Sequence, residues 1–175
     1  MAREASTDQR QRMNWRMSHR FDRECLPLAD RHYSRQKPGT PQFVAPGRCL
    51  VLKAGHPVRA LWVTSWPMTQ YTKHEWAGAW VCSMFRNEGA GLSSDLIREA
   101  VAATLHHYGA APGLGMVTFV RPAAVASRNP GYCFKCAGFE RVGKTKRHKL
   151  IAFQMPPSMM PDPAPAIGTQ MQLFG

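Results

Sequence analysis

Several stretches of this 175-residue chain have residue types and spacing that could do chemistry. The first is Arg86-Asn87-Glu88-Gly89-Ala90-Gly91. Glycines let backbone N–H groups approach an anion closely, and a helix that starts just after them adds the positive end of its dipole. Arg86 would add a charge-assisted contact, so the loop reads as a seat for a phosphate or diphosphate, with an ordinary glycine turn as the alternative. The second stretch is the run from Lys144 to Lys149, where Lys144, Lys146, Arg147 and Lys149 sit with His148 on a short turn. Such a run either grips nucleic-acid phosphates, with salt-dependent affinity, or is simply a solvated turn. Cys133-x-x-Cys136 is half a zinc site, but no second pair follows at suitable spacing and His106-His107 are adjacent, so no metal site is expected. His74-Glu75 reads as a solvated pair, with a base or orienting role as the alternative. Trp62, Trp66, Trp76 and Trp80 offer stacking surface but are read first as core.

The elements that must position these residues follow from the apolar patterning. A strand over 79–85 leads into the glycine loop. A helix over 92–108 follows it, with Leu92, Leu96, Ile97, Ala100, Val101, Leu105 and Tyr108 on one face, Thr104 as a small polar member of that face, and Gly109 as its stop. The runs at 48–53 and 60–65, separated by Gly55-His56-Pro57, predict a hairpin. Strands are expected at 116–120, at 141–142 and at 150–154, the last two bracketing the basic turn. A short helix is expected at 131–137 and a longer one over 22–35, interrupted or begun at Pro27.

The length suits one domain with a real core. Residues 1–22 are polar and arginine-dotted and read as a basic, mobile arm. Residues 23–155 carry the core, and 156–175 read as a Pro/Met-rich disordered tail, with five prolines between Pro156 and Ile167. An odd count of five cysteines, with no secretory signal and no membrane-length apolar run, reads as a reducing cytosol and no membrane partner. Lys and Arg number 23 against 11 acidic residues, a net charge of +12, which favours polyanionic partners.

The R-x-x-G-x-G pattern between strand and helix resembles the GNAT superfamily of N-acetyltransferases. So do Cys133-Phe-Lys-Cys-Ala-Gly-Phe139 downstream and the spacing from Gly91 to Gly138. The resemblance covers roughly residues 48–154. It implies an α/β (α+β) fold, a central mixed, mostly antiparallel sheet flanked by helices. It further implies that Arg86 to Gly91 bind the donor, with pantetheine running between splayed strands 79–85 and 116–120. Many members place a general-acid tyrosine where this chain has Phe134, and Tyr132 is the nearby substitute. The donor is therefore open between acyl-CoA and aminoacyl-tRNA.

Arg31-His-Tyr-Ser-Arg35, Pro46-Gly-Arg-Cys-Leu50, Phe85-Arg-Asn-Glu-Gly89 and Pro130-Gly-Tyr-Cys-Phe134 together are similar to the Mom-like family of phage DNA-modification proteins. That resemblance implies a phage-encoded transferase acting on double-stranded DNA in the host cytoplasm. It would add a carbamoylmethyl or glycyl-type group to adenine N6 and so protect the DNA from restriction. It also implies His32 and Tyr33 as the catalytic pair, His32 for proton transfer and Tyr33 for hydrogen bonding or stacking, with iron as a further implied cofactor. The alternatives are a GNAT acyltransferase acting on another amine (a hypermodified thymine, a protein or a small molecule) and a non-catalytic DNA-binding module.

At the C-terminus, Gln170-Met-Gln-Leu173-Phe174 resembles the Q-x-x-L-F peptide that docks into bacterial sliding clamps. A tether presenting Leu173 and Phe174 as apolar anchors suits peptide-in-groove recognition. A peptide of residues 161–175 is expected to bind purified clamp in fluorescence anisotropy, and Leu173→Ala with Phe174→Ala to abolish it. No binding at high-micromolar peptide excludes the motif.

Overall fold

The computed structural model describes residues Arg12 to Gln170. Seven strands form one mixed sheet, in the spatial order β1-β2-β3-β4-β5-β7-β6. They are β1 (Arg16–Met17), β2 (Cys49–Ala54), β3 (Ala60–Ser65), β4 (Trp80–Asn87), β5 (Met116–Val120), β6 (Glu140–Lys144) and β7 (Ile151–Met155). Every neighbouring pair is antiparallel except β4 and β5, which are parallel. The helices are α1 (Leu26–Asp30), α2 (Ser93–Tyr108) and α3 (Tyr132–Ala137). The α+β class and the mostly antiparallel sheet therefore stand as expected. No helix among the described residues is long and apolar enough to cross a membrane.

Alternation along the strands assigns the two faces. Leu50, Leu52, Ala60 and Trp62 join Leu96, Ile97, Ala100 and Val101 of α2 and Phe134 of α3 in one core. Val51, Leu61 and Val63 turn the other way, onto Leu28 and Ala29 of α1 with Phe43 and Val44. Thr104 is accommodated inside the first core because its hydroxyl donates to Ala100 O and meets Thr64 Oγ1 at 2.9 Å. Leu92 departs from expectation: it precedes α2 as its N-cap and is exposed rather than part of the apolar face.

The expected helix over 22–35 shrinks to Leu26–Asp30. Asp22 Oδ1 accepts the Glu24 amide, which makes a turn before the helix, and Pro27 sits in its first turn. Past Asp30, the His32 ring accepts the Ser34 amide, so a side chain takes a backbone donor that a helix would have used.

Both chain ends differ from their sequence reading. The arm expected over 1–22 is packed from its described part onward: Trp15 is fully buried, its indole N–H donates to Leu96 O at 2.8 Å, and Arg16–Met17 form the edge strand. The tail expected to be disordered from residue 156 is likewise packed as far as it is described. Pro157–Met159 is a 3-10 turn, Ala164 N donates to Ala102 O, Ala166 is buried, and Ile167 bridges Arg16. The prolines forbid helix but not this extended run past α2 to β1, where a missing N–H costs no ladder bond. Leu173 and Phe174 lie outside the described residues.

Removing the Trp15 ring opens a void in the core and takes away its hydrogen bond to the Leu96 carbonyl. Trp15→Ala is expected to cost about 3–5 kcal/mol in urea unfolding. A loss under about 1 kcal/mol would mean that the N-terminal segment is not part of the core.

Candidate functional site

The sheet parts in the middle. β4 and β5 pair only at Trp80–Met116, Val81–Val117 and Cys82–Thr118. Immediately beyond, β4 bulges: Val63 of β3 faces Met84 and Thr64 faces Cys82, so Ser83 is the extra residue. A bulge bends its strand and increases its twist, and here the bend accompanies the departure of β4 from β5. At the last rung, the Thr118 hydroxyl donates to Cys82 O at 3.0 Å, so a side chain satisfies a carbonyl where the parallel pairing ends.

A cavity of about 200 Å³ fills the opening. His32 and Tyr33 border it from the turn after α1, and Cys133 and Phe134 from α3 on the other face of the sheet. Thr118 and Val120 of β5 and Cys82 to Phe85 of β4 line the walls between. Gly131, at the start of α3, has φ +81°, and a Cβ there would lie 2.3 Å from the Phe153 ring, so no larger residue fits this corner.

The expected pair is thus brought to one cavity. The His32 and Tyr33 rings are stacked, with centroids 4.4 Å apart and planes 28° from parallel. His32 is buried, and Ser34 fixes its tautomer: Nδ1 accepts the Ser34 amide at 3.2 Å and lies 2.7 Å from Ser34 Oγ. With the Nδ1 lone pair engaged, Nε2 carries the proton of the neutral ring. Burial, reinforced by the nearby charge of Arg86, lowers the His32 pKa to about 4. The ring is therefore a neutral hydrogen-bond donor rather than the strong base that proton abstraction needs. Burial pushes Tyr33 up to about 12 and its hydroxyl donates to Phe119 O, so Tyr33 contributes a fixed aromatic face. The Arg121 guanidinium lies 5.4 Å from the centre of that face. Phe134 is a wall of the cavity, whereas Tyr132 is exposed on α3 and is not among its lining. Burial raises the Cys82 thiol, which keeps it protonated and unreactive.

The glycine loop is closed on itself. Arg86 and Asn87 belong to β4, paired with Leu61 and Ala60. Asn87 Oδ1 accepts the amides of Gly89 and Ala90, its Nδ2 donates to Gly91 O and Ser93 Oγ, and the Glu88 amide donates to Arg59 O. Arg86 donates to the Glu88 carboxylate, which Arg31 also grips at 2.8 and 2.9 Å. These two arginines, Arg31 first, lower the Glu88 pKa to about 2. A diphosphate seated at Arg86 to Ala90 would meet amides already given to acceptors and a carboxylate in place of a free cation. Of the seat expected for an acyl-CoA diphosphate over Arg86 to Gly91, the part from Arg86 to Ala90 therefore does not fit. The Gly91 amide and the first amides of α2 stay outside this network, the latter because a helix start has no internal acceptors for them. Iron finds no fit either: among the described residues no three His, Cys, Asp or Glu side chains converge as a ligand set does.

Of the basic turn, Lys144, Lys146 and Arg147 border a second cleft, of about 540 Å³, whereas Lys149 closes the turn with φ 54° and is not part of its lining. The tryptophans divide as well. Trp62 and Trp80 are fully buried, and Trp66 and Trp76 are half-buried. A third cleft, about 600 Å³, is lined by residues 34–37, 40 and 42–46. Its Arg35 is committed to Asp30, Thr40 and Gln42.

Ser34, the part Asn87 plays as acceptor inside its own loop, Thr118 and Ser83 escaped the sequence reading. A hydroxyl two residues after a histidine, an asparagine before a glycine turn and a threonine inside an apolar strand are signals for the first three. Ser83 gives none, because a bulge is a property of two strands together. Compared with models of known protein families, with curated proteins and with solved structures, the chain matches none.

The histidine burial has a pH consequence. The unfolded chain takes up the His32 proton near 6.5 and the folded chain only near 4, so stability falls as pH drops between those values. The loss from this group alone reaches up to about 3 kcal/mol. Burial shifts His74 and His107 the same way, while the paired Asp22 and Glu88 lose their contribution only at lower pH. Denaturant unfolding from pH 7 to 4.5 is expected to show this slope, and His32→Gln to flatten it. An unchanged slope in the variant would contradict a buried neutral His32.

Proposed function

We propose that the chain is a GNAT-like transferase that modifies an exocyclic amine of a nucleobase in DNA, adenine N6 first, with a small acyl-derived group of the carbamoylmethyl or glycyl type, so shielding phage DNA from restriction. The observation that carries this reading is the cavity at the β4–β5 split, where a neutral buried histidine stacked on a tyrosine faces Phe134 across about 200 Å³. Pockets for drug-sized ligands run from about 300 to 1,000 Å³, so this one suits a single planar ring better than a whole cofactor. The GNAT-like assignment is supported by a parallel β4–β5 pair that parts, a bulge at the parting and a strand–loop–helix crossover between the two strands.

The substrate sets the demands. Adenine N6 is conjugated into its ring and buried in the duplex, so the base must leave the stack and be held between flat or apolar walls. Tyr33 and Phe134 supply such walls. The proton on Nε2 of His32 is a donor for a ring nitrogen of the base or for the oxygen that gains charge during transfer. Ser34 holds that tautomer, making it a positioning residue. Of the two donors considered, an aminoacyl ester on tRNA asks for no diphosphate seat at Arg86 to Ala90, and it brings a polyanion to a chain of net charge +12.

In a bacterial host making the protein, nuclease-digested DNA is expected to contain a deoxyadenosine of increased mass. His32→Ala should lower that product at least about a hundredfold, as loss of a donor to developing charge does. Tyr33→Phe should lower it about fivefold to tenfold through its missing hydrogen bond. Unmodified DNA from cells with abundant soluble protein removes the reading, and acetyl-CoA turnover on a free amine without DNA replaces it with acyl transfer to another substrate.

A further inference from the structure

The 540 Å³ cleft has two unlike walls. One is aromatic. The Phe119 ring lies 5.0 Å from His74 and 5.8 Å from Trp76, and the latter two are 6.1 Å apart. All three side chains are partly exposed, and Trp76 and Phe119 rest on Ala79, Val81 and Val117 beneath. The opposite wall is the β6–β7 turn, with Lys146 and Arg147 exposed, and Lys73 adds another cation against the single carboxylate of Glu75.

We infer that this cleft seats an unpaired stretch of DNA, its bases stacked on Trp76, His74 and Phe119 and its phosphates along Lys146 and Arg147. A duplex presents base edges to a protein and keeps base faces inside its stack, so an aromatic wall has no use for it. An acidic peptide would satisfy the cations and leave the rings bare. An unpaired strand uses both walls, because every base has a face and every linkage a charge. The inference rests on the proposed function for the choice of DNA over RNA, and it extends that function by giving the nucleotides that flank an extruded base a place to lie. β5 connects the two sites: Phe119 stands in the cleft while its neighbours Thr118 and Val120 line the small cavity. Tyr33 borders that cavity and donates to Phe119 O. A base swung out of the strand therefore has only the width of β5 to cross.

Fluorescence anisotropy with a labelled 12-nucleotide DNA strand, its duplex and the matching RNA tests this on the full chain. The DNA strand is expected to bind about tenfold or more tighter than the duplex, Trp76→Ala to weaken it about tenfold, and His74→Ala about fivefold. Since Trp76 also packs on Val81 and Val117, Trp76→Phe serves as the control that keeps a ring and should recover most of the affinity. Lys146→Ala with Arg147→Ala should reduce the slope of log affinity against log salt by about 1.4. Equal affinity for strand and duplex, or unchanged binding in both His74→Ala and the double variant, overturns the inference, and preference for RNA overturns the choice of DNA. The same preparations are assayed for modified nucleoside. Product with no strand preference defeats the cleft alone, whereas the expected binding without product defeats only the enzymatic reading.

Discussion

Everything distinctive about this molecule depends on three rungs of parallel pairing that then stop. A parallel pair inside a sheet normally runs the length of both strands, because each lost rung leaves a buried donor or acceptor unsatisfied. Here β3 stays paired with β4 through the bulge at Ser83, so β4 bends without losing its other neighbour, and β7 stays paired with β5. The Thr118 hydroxyl covers the Cys82 carbonyl at the last rung, and the Tyr33 hydroxyl covers Phe119 O one residue on. Side chains thus do at the split what ladder bonds do elsewhere, and Tyr33 serves both as a wall of the opening and as one of the groups that make it affordable.

The glycine loop shows how far composition can mislead about charge. Arg86 and two glycines suggest a cradle for an anion, yet an anion is already built in. Glu88 sits between Arg31 and Arg86, and the Asn87 side chain takes the amides that glycines are usually there to offer. The network ties the end of α1 to the end of β4, so it fixes the turn that carries His32 and Tyr33 as much as it shapes the loop.

The regular elements were legible in the sequence because each has one dominant signal. Cys49 to Ala54 and Ala60 to Ser65 are apolar runs around a Gly-His-Pro turn, and the spacing from Leu96 to Tyr108 writes one helical face. His32, Tyr33 and Phe134 were legible as individuals, but not their meeting, which needs α1 and α3 on opposite faces of a sheet that opens between them. The ends were misread for one reason: polar and proline-rich segments can be held by a few buried anchors, and Trp15 and Ala166 are single residues that composition averages away. Trp76 was read as core and is half that, since one side rests on Val81 and Val117 while the other borders a basic cleft.

The bridge between Arg16 and Ile167 places both ends of the described chain on the same margin of the sheet. That margin, β1, is three strands from the split, about 14–15 Å at ordinary strand spacing. The first and last paired residues of the described chain are therefore held at one side, with β2 and β3 between them and the opening at β4 and β5. In mechanical terms the sheet is fastened at β1, where two distant parts of the chain are tied, and parts between β4 and β5, so its clasp and its opening are different places.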